Sequence, residues 1–429
     1  MLTVAYLSNQ FPSPVEPYVV AEIAQLRRRG IRIIPGTVRK PNAKKIPNFR
    51  GDKTIVIEST GPFYLLSALN LCVRRGTRIF DLLARILFKG GESPLARIKA
   101  LIHTFLGACY AAQLKPLKID HIHVHHGYFG SWIGLVAARL LGVEYSLTLH
   151  GSDLLLHGAY LDTKLEESRF CLTVSAYHRE HILNHYPGID ASKVIVARLG
   201  VPIPARSRTQ RSTSLPLGNG ITIVAVGRLH QVKDHAFLLR SCAQLRARGL
   251  RFECLIAGTG PEQGHLKTLI RKYGLQEMVS LLGHVPHHQV SSLYDRADVV
   301  VLTSRSEGVP LVLMEAMARG QIVLAPLITG IPELVISEKT GFLYRAGSQG
   351  DFVARILLIV SYLAGRKLQG PSIPSAMNPL DWMRHGARIQ VRDNFNQQTN
   401  LEYFADLFSQ RISAKVGSFH HEDFVLQQV

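Results

Sequence analysis

DVVVLTSRSEGVPLVLMEAMARGQIVLAP, residues 298–326, reads as a β-branched run, a turn at Gly308-Val309-Pro310, a helix near Pro310–Arg319 and a second β-branched run. Two such runs joined through a helix make a βαβ unit, and βαβ units build parallel sheets covered by helices. The alternation extends outward. Before it come ITIVAVG (221–227), a helical pattern from Asp234 to Arg248, RFECLIAG (251–258), a helix from Glu262 to Tyr273, MVSLLG (278–283) and a helix near His288–Arg296. Farther back, residues 202–220 (PIPARSRTQRSTSLPLGNG) lose all periodicity and are rich in Pro, Ser, Arg and Gly, which marks a domain boundary. Ahead of it the pattern returns as LTVAYL (2–7) with Pro17–Arg29, HIHVHH (121–126) with Ser131–Leu141, YSLTLH (145–150), FCLTVS (170–175) with Ala176–Tyr186, and KVIVARLG (193–200). The expected fold is α/β, two Rossmann-like doubly wound domains facing across a cleft. Expected bounds are 1–201 and 221–365, joined by a linker at 202–220. A C-terminal loop and closing helices follow over 366–429, with Ala387–Arg411 read as a closing helix or helix pair.

A chain of 429 residues suits two domains, and 46% hydrophobic with 19% charged residues is a globular composition. Cys72, Cys109, Cys171, Cys242 and Cys254 lie far apart without CxxC pairs, which favours a reducing cytosol over a disulfide framework. The start, MLTVAYLSNQF, goes directly into a strand pattern and lacks the basic region of a signal peptide. No apolar run reaches the roughly 18 residues of a membrane span. The formal charge is +19, and residues 1–118 hold 19 Lys/Arg against 6 Asp/Glu, so 19 − 6 = +13 of the excess is in the first half. Zinc-finger, homeodomain and aromatic RNA-binding signatures are missing, so an anionic membrane surface or a phosphorylated substrate is expected as partner rather than nucleic acid. In 62–89, apolar residues from Phe63 to Leu71 precede Arg74 and Arg75, and a second apolar run carries Arg78, Arg85 and Lys89 at spacings that suit one helix face.

In doubly wound sheets ligands sit at the carboxyl ends of strands, where helix N-termini offer unpaired amides. ITIVAVG ends at Gly227-Arg228 with Lys233 five residues on, a pair of cations suited to a diphosphate or simply a solvated basic loop. RFECLIAG ends at Gly258-Thr259-Gly260-Pro261, a tight turn or a binding loop. Glu307 stands at the mouth of the Gly308-Val309-Pro310 turn, and Glu315 lies five residues beyond Pro310. At about 1.5 Å per residue that is roughly 7–8 Å deeper, on the face shared with Leu311 and about the span from a diphosphate to a ribose. Glu315, among apolar neighbours, must find sugar hydroxyls or an internal salt bridge. His150-Gly151 ends YSLTLH, where the imidazole is either structural or available to a substrate hydroxyl or carbonyl. His121, His123 and His125 alternate on one strand face with no carboxylate or cysteine at ligand spacing, so no metal is expected there. Asp-x-Asp and GxxxxGK[ST] are both missing, which disfavours a nucleotide-bound divalent metal and an NTPase.

With these residues the chain resembles the retaining glycosyltransferases of family 4, of the GT-B fold, whose hallmark is two glutamates separated by seven residues, here Glu307 and Glu315. The similarity runs through GRLHQVKDH, AGTGPE, LLGHV and TGIPELVISEKTGFLY. In the first half FPSPVEPYVVAEIAQLRRRG, HIHVHHG and TLHGSDL resemble the bacterial polysaccharide-assembly branch. The resemblance implies that Arg228 and Lys233 hold the diphosphate of a nucleotide-sugar donor, with Gly227, Gly258, Gly260, Gly308, Val309, Pro310 and Leu311 lining the donor site. Glu307 would contact the donor sugar, Glu315 the ribose, and Gly283 and Val285 the surroundings of the base. His150 would face the sugar from the acceptor domain. It further implies a glycan or lipid-linked acceptor and no resident cofactor; the missing Asp-x-Asp leads us to expect no metal, the cysteines a cytoplasmic enzyme, and the basic apolar stretch 62–89 a peripheral position on the inner face of the cell membrane. The chain departs from the pattern at Ser8-Asn9-Gln10-Phe11-Pro12, where many members carry Gly-Gly, and at Leu199-Gly200-Val201-Pro202, where they often read NGVD. A sugar-nucleotide epimerase and a non-catalytic nucleotide-sugar or polysaccharide-binding protein are the alternatives.

Overall fold

The computed structural model describes residues 1–13, 16–40, 54–156, 158–205, 220–365 and 378–413. Single helical turns are left unnumbered below. The first half runs β1 (Thr3–Gln10), α1 (Pro17–Arg28), β2 (Arg32–Arg39), β3 (Ile55–Val56), α2 (Pro62–Arg75), α3 (Phe80–Phe88), α4 (Pro94–Leu114), β4 (His121–His125), α5 (Phe129–Leu141), β5 (Glu144–Leu149), β6 (Cys171–Thr173), α6 (Ala176–His185) and β7 (Val194–Val196). The second runs β8 (Ile221–Val226), α7 (His235–Ala247), β9 (Phe252–Ala257), α8 (Gln263–Lys272), β10 (Val279–Gly283), α9 (His287–Arg296), β11 (Val299–Val301), α10 (Leu311–Ala318), β12 (Val323–Pro326), β13 (Phe342–Tyr344) and α11 (Gln349–Leu363). Helices α12 (Pro379–Asn394) and α13 (Gln397–Ser413) close the described chain.

The strands form a seven-stranded sheet, ordered β3-β2-β1-β4-β5-β6-β7, and a six-stranded sheet, ordered β10-β9-β8-β11-β12-β13. All pairings are parallel, as the alternating pattern requires. In both sheets the order reverses beside the first strand of the half, which opens a crevice at the strands' carboxyl ends. The sheets fall on either side of 202–220, most of which lies outside the described residues.

Strand β2 and helices α4 and α11 go beyond the segments read from the pattern. Pro35 interrupts β2, yet β3 pairs only with Gly36 and Thr37, so beside Pro35 the strand has a free edge where no donor is needed. Helix α12 begins at Pro379 rather than near Ala387, because Asn378 accepts the Leu380 amide at 2.8 Å and Pro379 suits the first turn. The shared cationic face expected of Arg78, Arg85 and Lys89 does not form. The chain breaks at Gly76 into a 3-10 turn, and Arg85 turns inward to Glu92 and Asp162 (2.8 and 2.9 Å). Arg75 likewise donates to the Leu140 carbonyl at 2.8 Å.

Helix α13 crosses back onto the first half. Phe408 packs against Tyr6, His123 and Phe170, on the face of β4 that carries the alternating histidines. His121 and His123 are buried there and bonded to Ser146 and Thr148 at 2.7–3.0 Å. Burial drives His121 down to about 3 and His123 well below its ordinary value, so both rings are neutral and structural.

Candidate functional site

The strand ends of the two sheets meet. A Cβ on Gly308 would overlap the His150 carbonyl oxygen, so only glycine allows the turn after β11 to abut the end of β5. Around this contact lie buried polar atoms without a hydrogen bond: Ser8 Oγ and Asn9 Oδ1 late in β1, His150 Nδ1, and Ser304 Oγ and Ser306 Oγ after β11. Such atoms cost about 1–3 kcal/mol each, a cost that a bound ligand or water can remove.

On the second-half wall, β8 delivers Gly227 and an exposed Arg228. The Gly227 amide donates to the Ala257 carbonyl at 2.9 Å and the Leu229 amide to Thr259 at 2.9 Å, locking this loop to the one after β9. Gly258, at φ 149°, is required by that lock: a Cβ there would collide with the Gly227 oxygen, and one at Gly260 with Leu229. These glycines therefore serve loop-to-loop contact. The Gly258 amide in turn donates to the Gly283 carbonyl at 2.8 Å, which brings the β10 end, with half-buried Val285, to the same place.

Lys233 is fixed from two sides. Thr303 Oγ1 donates to its carbonyl at 2.9 Å, and its Nζ lies 2.5 Å from Glu307 Oε1, both side chains being largely buried. Thr329 Oγ1 donates to the Glu307 carbonyl at 2.8 Å and sets the turn. Helix α10 opens at Leu311 with Pro310 as cap and Val309 buried, and Glu315 is one turn past Leu311 on the same face. Its oxygens accept from Tyr294 Oη at 2.9 Å and pair with His287 Nε2 at 3.0 Å, both from α9. Burial and the Glu315 charge together push the Tyr294 phenol well up, so it remains a donor.

Across the cleft, Asp153 accepts the amides of Gly127, His150 and Gly151 at 2.7–3.0 Å and so ties the ends of β4 and β5 together. His126, itself at φ 72°, sits between Glu16 (3.0 Å) and Asp153 (3.6 Å). Burial opposes its charge, but the two carboxylates outweigh burial and raise it to about 10. The same bargain holds Glu16 below the usual carboxylate range: burial works against ionisation, while His126 and, from the opposite wall, Arg228 favour it. Lys164 donates to the Gly127, Tyr128 and Ala159 carbonyls beneath this loop. Tyr128 bonds Ser152 at 2.6 Å.

His150 Nε2 lies 2.9 Å from His125 Nδ1, and the Tyr18 ring packs at a tilt against the His150 ring. Tyr6 gives its single proton to the Glu22 carboxylate at 2.6 Å. His125 Nε2, 3.0 Å from that carboxylate and 2.9 Å from the Tyr6 oxygen, must then donate to both. A His125 ring that carries only this proton has a bare Nδ1, which receives the His150 Nε2–H. That leaves His150 Nδ1 as an unpaired acceptor. Burial first, then the neighbouring His126 charge, drives His150 well below its ordinary value, so the ring is neutral.

The structure thus places Gly227, Arg228, Lys233, Gly258, Gly260, Gly283, Val285, Glu307, Gly308, Val309, Pro310, Leu311 and Glu315 along the second-half wall and His150 on the facing wall, whereas His121 and His123 lie in the core. Sequence reasoning missed Glu16, Glu22, Tyr6, His287 and Tyr294. Only Glu22 left a local signal, as a carboxylate buried in the apolar stripe of Val19, Ile23 and Leu26.

Two family models match the chain in tandem, Glycosyltransferase Family 4 over residues 15–203 and Glycosyl transferases group 1 over residues 207–362. The putative colanic acid biosynthesis glycosyltransferase WcaL of Salmonella typhimurium is 36% identical over 226 residues, 51% of this chain and 52% of that protein. The match therefore spans about half the length of that relative. The amylovoran biosynthesis glycosyltransferase AmsK of Erwinia amylovora is 28% identical over 70% of this chain and 73% of its own. Among solved structures, sucrose-phosphate synthase of Thermosynechococcus elongatus superposes with a TM-score of 0.71 at 18% identity, covering 97% of this chain and 100% of that one. HepE of Anabaena, solved in complex with UDP, superposes with a TM-score of 0.67 at 18% identity, covering 96% and 100%.

Proposed function

Since this chain belongs to glycosyltransferase family 4 and has the GT-B architecture, we propose that it moves a sugar from a nucleoside diphosphate sugar to an acceptor hydroxyl with retention of configuration. The observation that carries this reading is the pairing of Lys233 with Glu307 at the turn that abuts His150. A cation for the diphosphate, a carboxylate for the sugar and a neutral acceptor on the facing wall lie at one junction. HepE, of the same fold, is solved in complex with UDP, which supports a nucleotide ligand.

Arg228, Lys233 and the amides at the start of α10 would stabilise charge growing on the leaving diphosphate, which itself takes the acceptor proton on the front face. A double displacement needs a free carboxylate nucleophile. Glu307 is held by Lys233, Glu315 by Tyr294 and His287, and Glu16 and Asp153 by His126, which favours the front-face route. No step requires a metal ion. The acceptor, on this reading, is a growing or lipid-linked glycan met at the anionic cytoplasmic face of a membrane.

A thermal-shift series over UDP-, GDP- and ADP-sugars tests the donor, since a ligand stabilises by RT ln(1 + [L]/Kd). Binding should weaken in Arg228→Ala and in Lys233→Ala, and the double variant should be non-additive because both address one diphosphate. Transfer should survive chelation and yield the donor's anomer by NMR. A melt that no sugar nucleotide moves, or an inverted product, overturns the reading.

A further inference from the structure

Among the described residues no helix is long and apolar enough to cross a membrane. Three neighbouring helices of the first half nevertheless turn large apolar side chains to solvent. On α2 these are Phe63, Leu66, Leu69 and Val73, which share one side of the helix; Phe63 is 76% and Val73 86% exposed. On α3 they are Phe80, Leu87 and Phe88, the last 82% exposed. On α4 they are Leu95, Ile98 and Ile102, while the same helix buries Ala108 to Ala112 and Leu114 in the core. Both α2 and α3 pack on α4, so the three stripes are adjacent. An exposed apolar surface this extensive costs free energy in water and marks an interaction site.

The charges around it choose the partner. Arg74, Arg78, Lys89 and Lys99 are exposed at its margin. Three carboxylates nearby are held by other arginines, Asp81 by Arg139, and Glu92 and Asp162 by Arg85. The face is therefore apolar with a positive rim, complementary to a leaflet whose headgroups are anionic and whose interior is hydrocarbon. It also leads to the cleft. His103 of α4 stacks on Phe129 at 5.1 Å, and the preceding Tyr128 bonds Ser152, two residues from His150.

We propose that the α2–α3–α4 face inserts into an anionic bilayer leaflet, held chiefly by its apolar side chains and only secondarily by its cations. The inference rests on the transferase reading only for what is delivered to the cleft. Insertion differs from electrostatic adsorption in one measurable respect, because salt screens surface charges but not apolar burial.

The test is sedimentation of the full chain with phosphatidylcholine vesicles, with and without phosphatidylglycerol, at low and high salt. The parent should bind both, more tightly with the anionic lipid, and should stay bound to both at high salt. The triple variant Phe63→Ser, Leu66→Ser, Phe88→Ser should lose at least about tenfold in partitioning, since each large side chain inserted contributes substantially. Its melt and its stabilisation by UDP, GDP or ADP should match the parent's. Charge reversal at Arg74, Lys89 and Lys99 should abolish only the anionic preference. A parent that stays in the supernatant, full release by salt, or equal partitioning of the serine variant overturns the proposal. So does a dimer in gel filtration that the serine variant dissolves, which would assign the face to a second copy. Transfer to a soluble acceptor analogue separates the two ideas: if it persists while vesicle binding fails, only the insertion is wrong.

Discussion

Glu22→Gln exchanges a pure acceptor for a side chain that also donates, and the consequence should be read two rings away. If the amide donates to His125 Nε2, the proton moves to His125 Nδ1, which donates to His150 Nε2 across the 2.9 Å contact and leaves His150 Nδ1 protonated. A hydroxyl that needs an acceptor there would meet a donor. Turnover should fall at least about tenfold with donor affinity unchanged, and two-bond nitrogen–proton NMR should show the His150 tautomer reversed. Lower turnover with the original tautomer would make Glu22 merely a packing residue. Glu307→Gln tests the opposite wall. In the parent the carboxylate engages Lys233 at 2.5 Å, so removing its charge frees that ammonium for the diphosphate. Turnover should drop about hundredfold or more while nucleotide affinity holds or tightens. A loss of affinity equal to the loss of turnover would show that Glu307 acts only in binding.

The turn that joins the ends of β4 and β5 is an electrostatic assembly, and its pH response has a definite sign. His126 rises from 6.5 to about 10 on folding, despite burial, because Asp153 and Glu16 flank it. A raised folded value means that the stabilisation is fully present below about 6.5 and is lost as pH climbs through about 10. Asp153 is lowered, so its share is present above 3.8 and fades towards acid. Denaturant midpoints should therefore fall between pH 7 and about 10 in the parent and stay flatter in His126→Gln; identical slopes would remove His126 from the ledger. None of this element's wiring was legible in the sequence, although the element itself was. Periodicity shows β4, β5 and the helices because their signals repeat within a few residues. It cannot show that Tyr294 finds Glu315, that Glu22 finds His125, or that the glycines at 258 and 260 serve a neighbouring loop, because those pairings depend on which strands lie side by side. Strand β2 was obscured by Pro35 and Gly36, which read as breakers until the short β3 is seen to leave Pro35 on a free edge. The clearest reading, Glu307 just before a helix start and Glu315 about one turn and a half beyond Pro310, depended on spacing within one turn-and-helix segment.

The two halves are joined at more than the linker. At one edge, the Val201 amide donates to Phe395 at 3.0 Å and Gln397 returns a bond to Val201 at 3.1 Å, where α12 of the second half gives way to α13 on the first. At the cleft, Glu333 reaches across from the single turn Ile331–Leu334. Its carboxylate accepts the Ala176 and Tyr177 amides at 3.1 and 2.9 Å, capping α6 of the other half, and also meets Arg198 at 3.2 Å. A carboxylate at a helix N-terminus gains from both the free amides and the dipole. The Val201 crossing can act as a hinge because it is backbone and local; the Glu333 contact can act as a clasp because it spans the cleft mouth and rests on one side chain. Hydrogen bonds to a charged group contribute about 1.5–3 kcal/mol each before competition from water. Losing the clasp should therefore lower the closed fraction by about tenfold or more. A ligand that binds the closed form sees its apparent affinity reduced by that fraction. Glu333→Ala should accordingly raise the donor KM about tenfold, leave kcat near the parent's once donor is saturating, and increase the radius of gyration in X-ray scattering without donor. Saturating donor should restore the parent's radius. An unchanged scattering profile with unchanged KM would mean that the hinge and the Gly308–His150 contact hold the halves together without Glu333. A fall in kcat at saturating donor would place Glu333 in the chemistry instead of the closure.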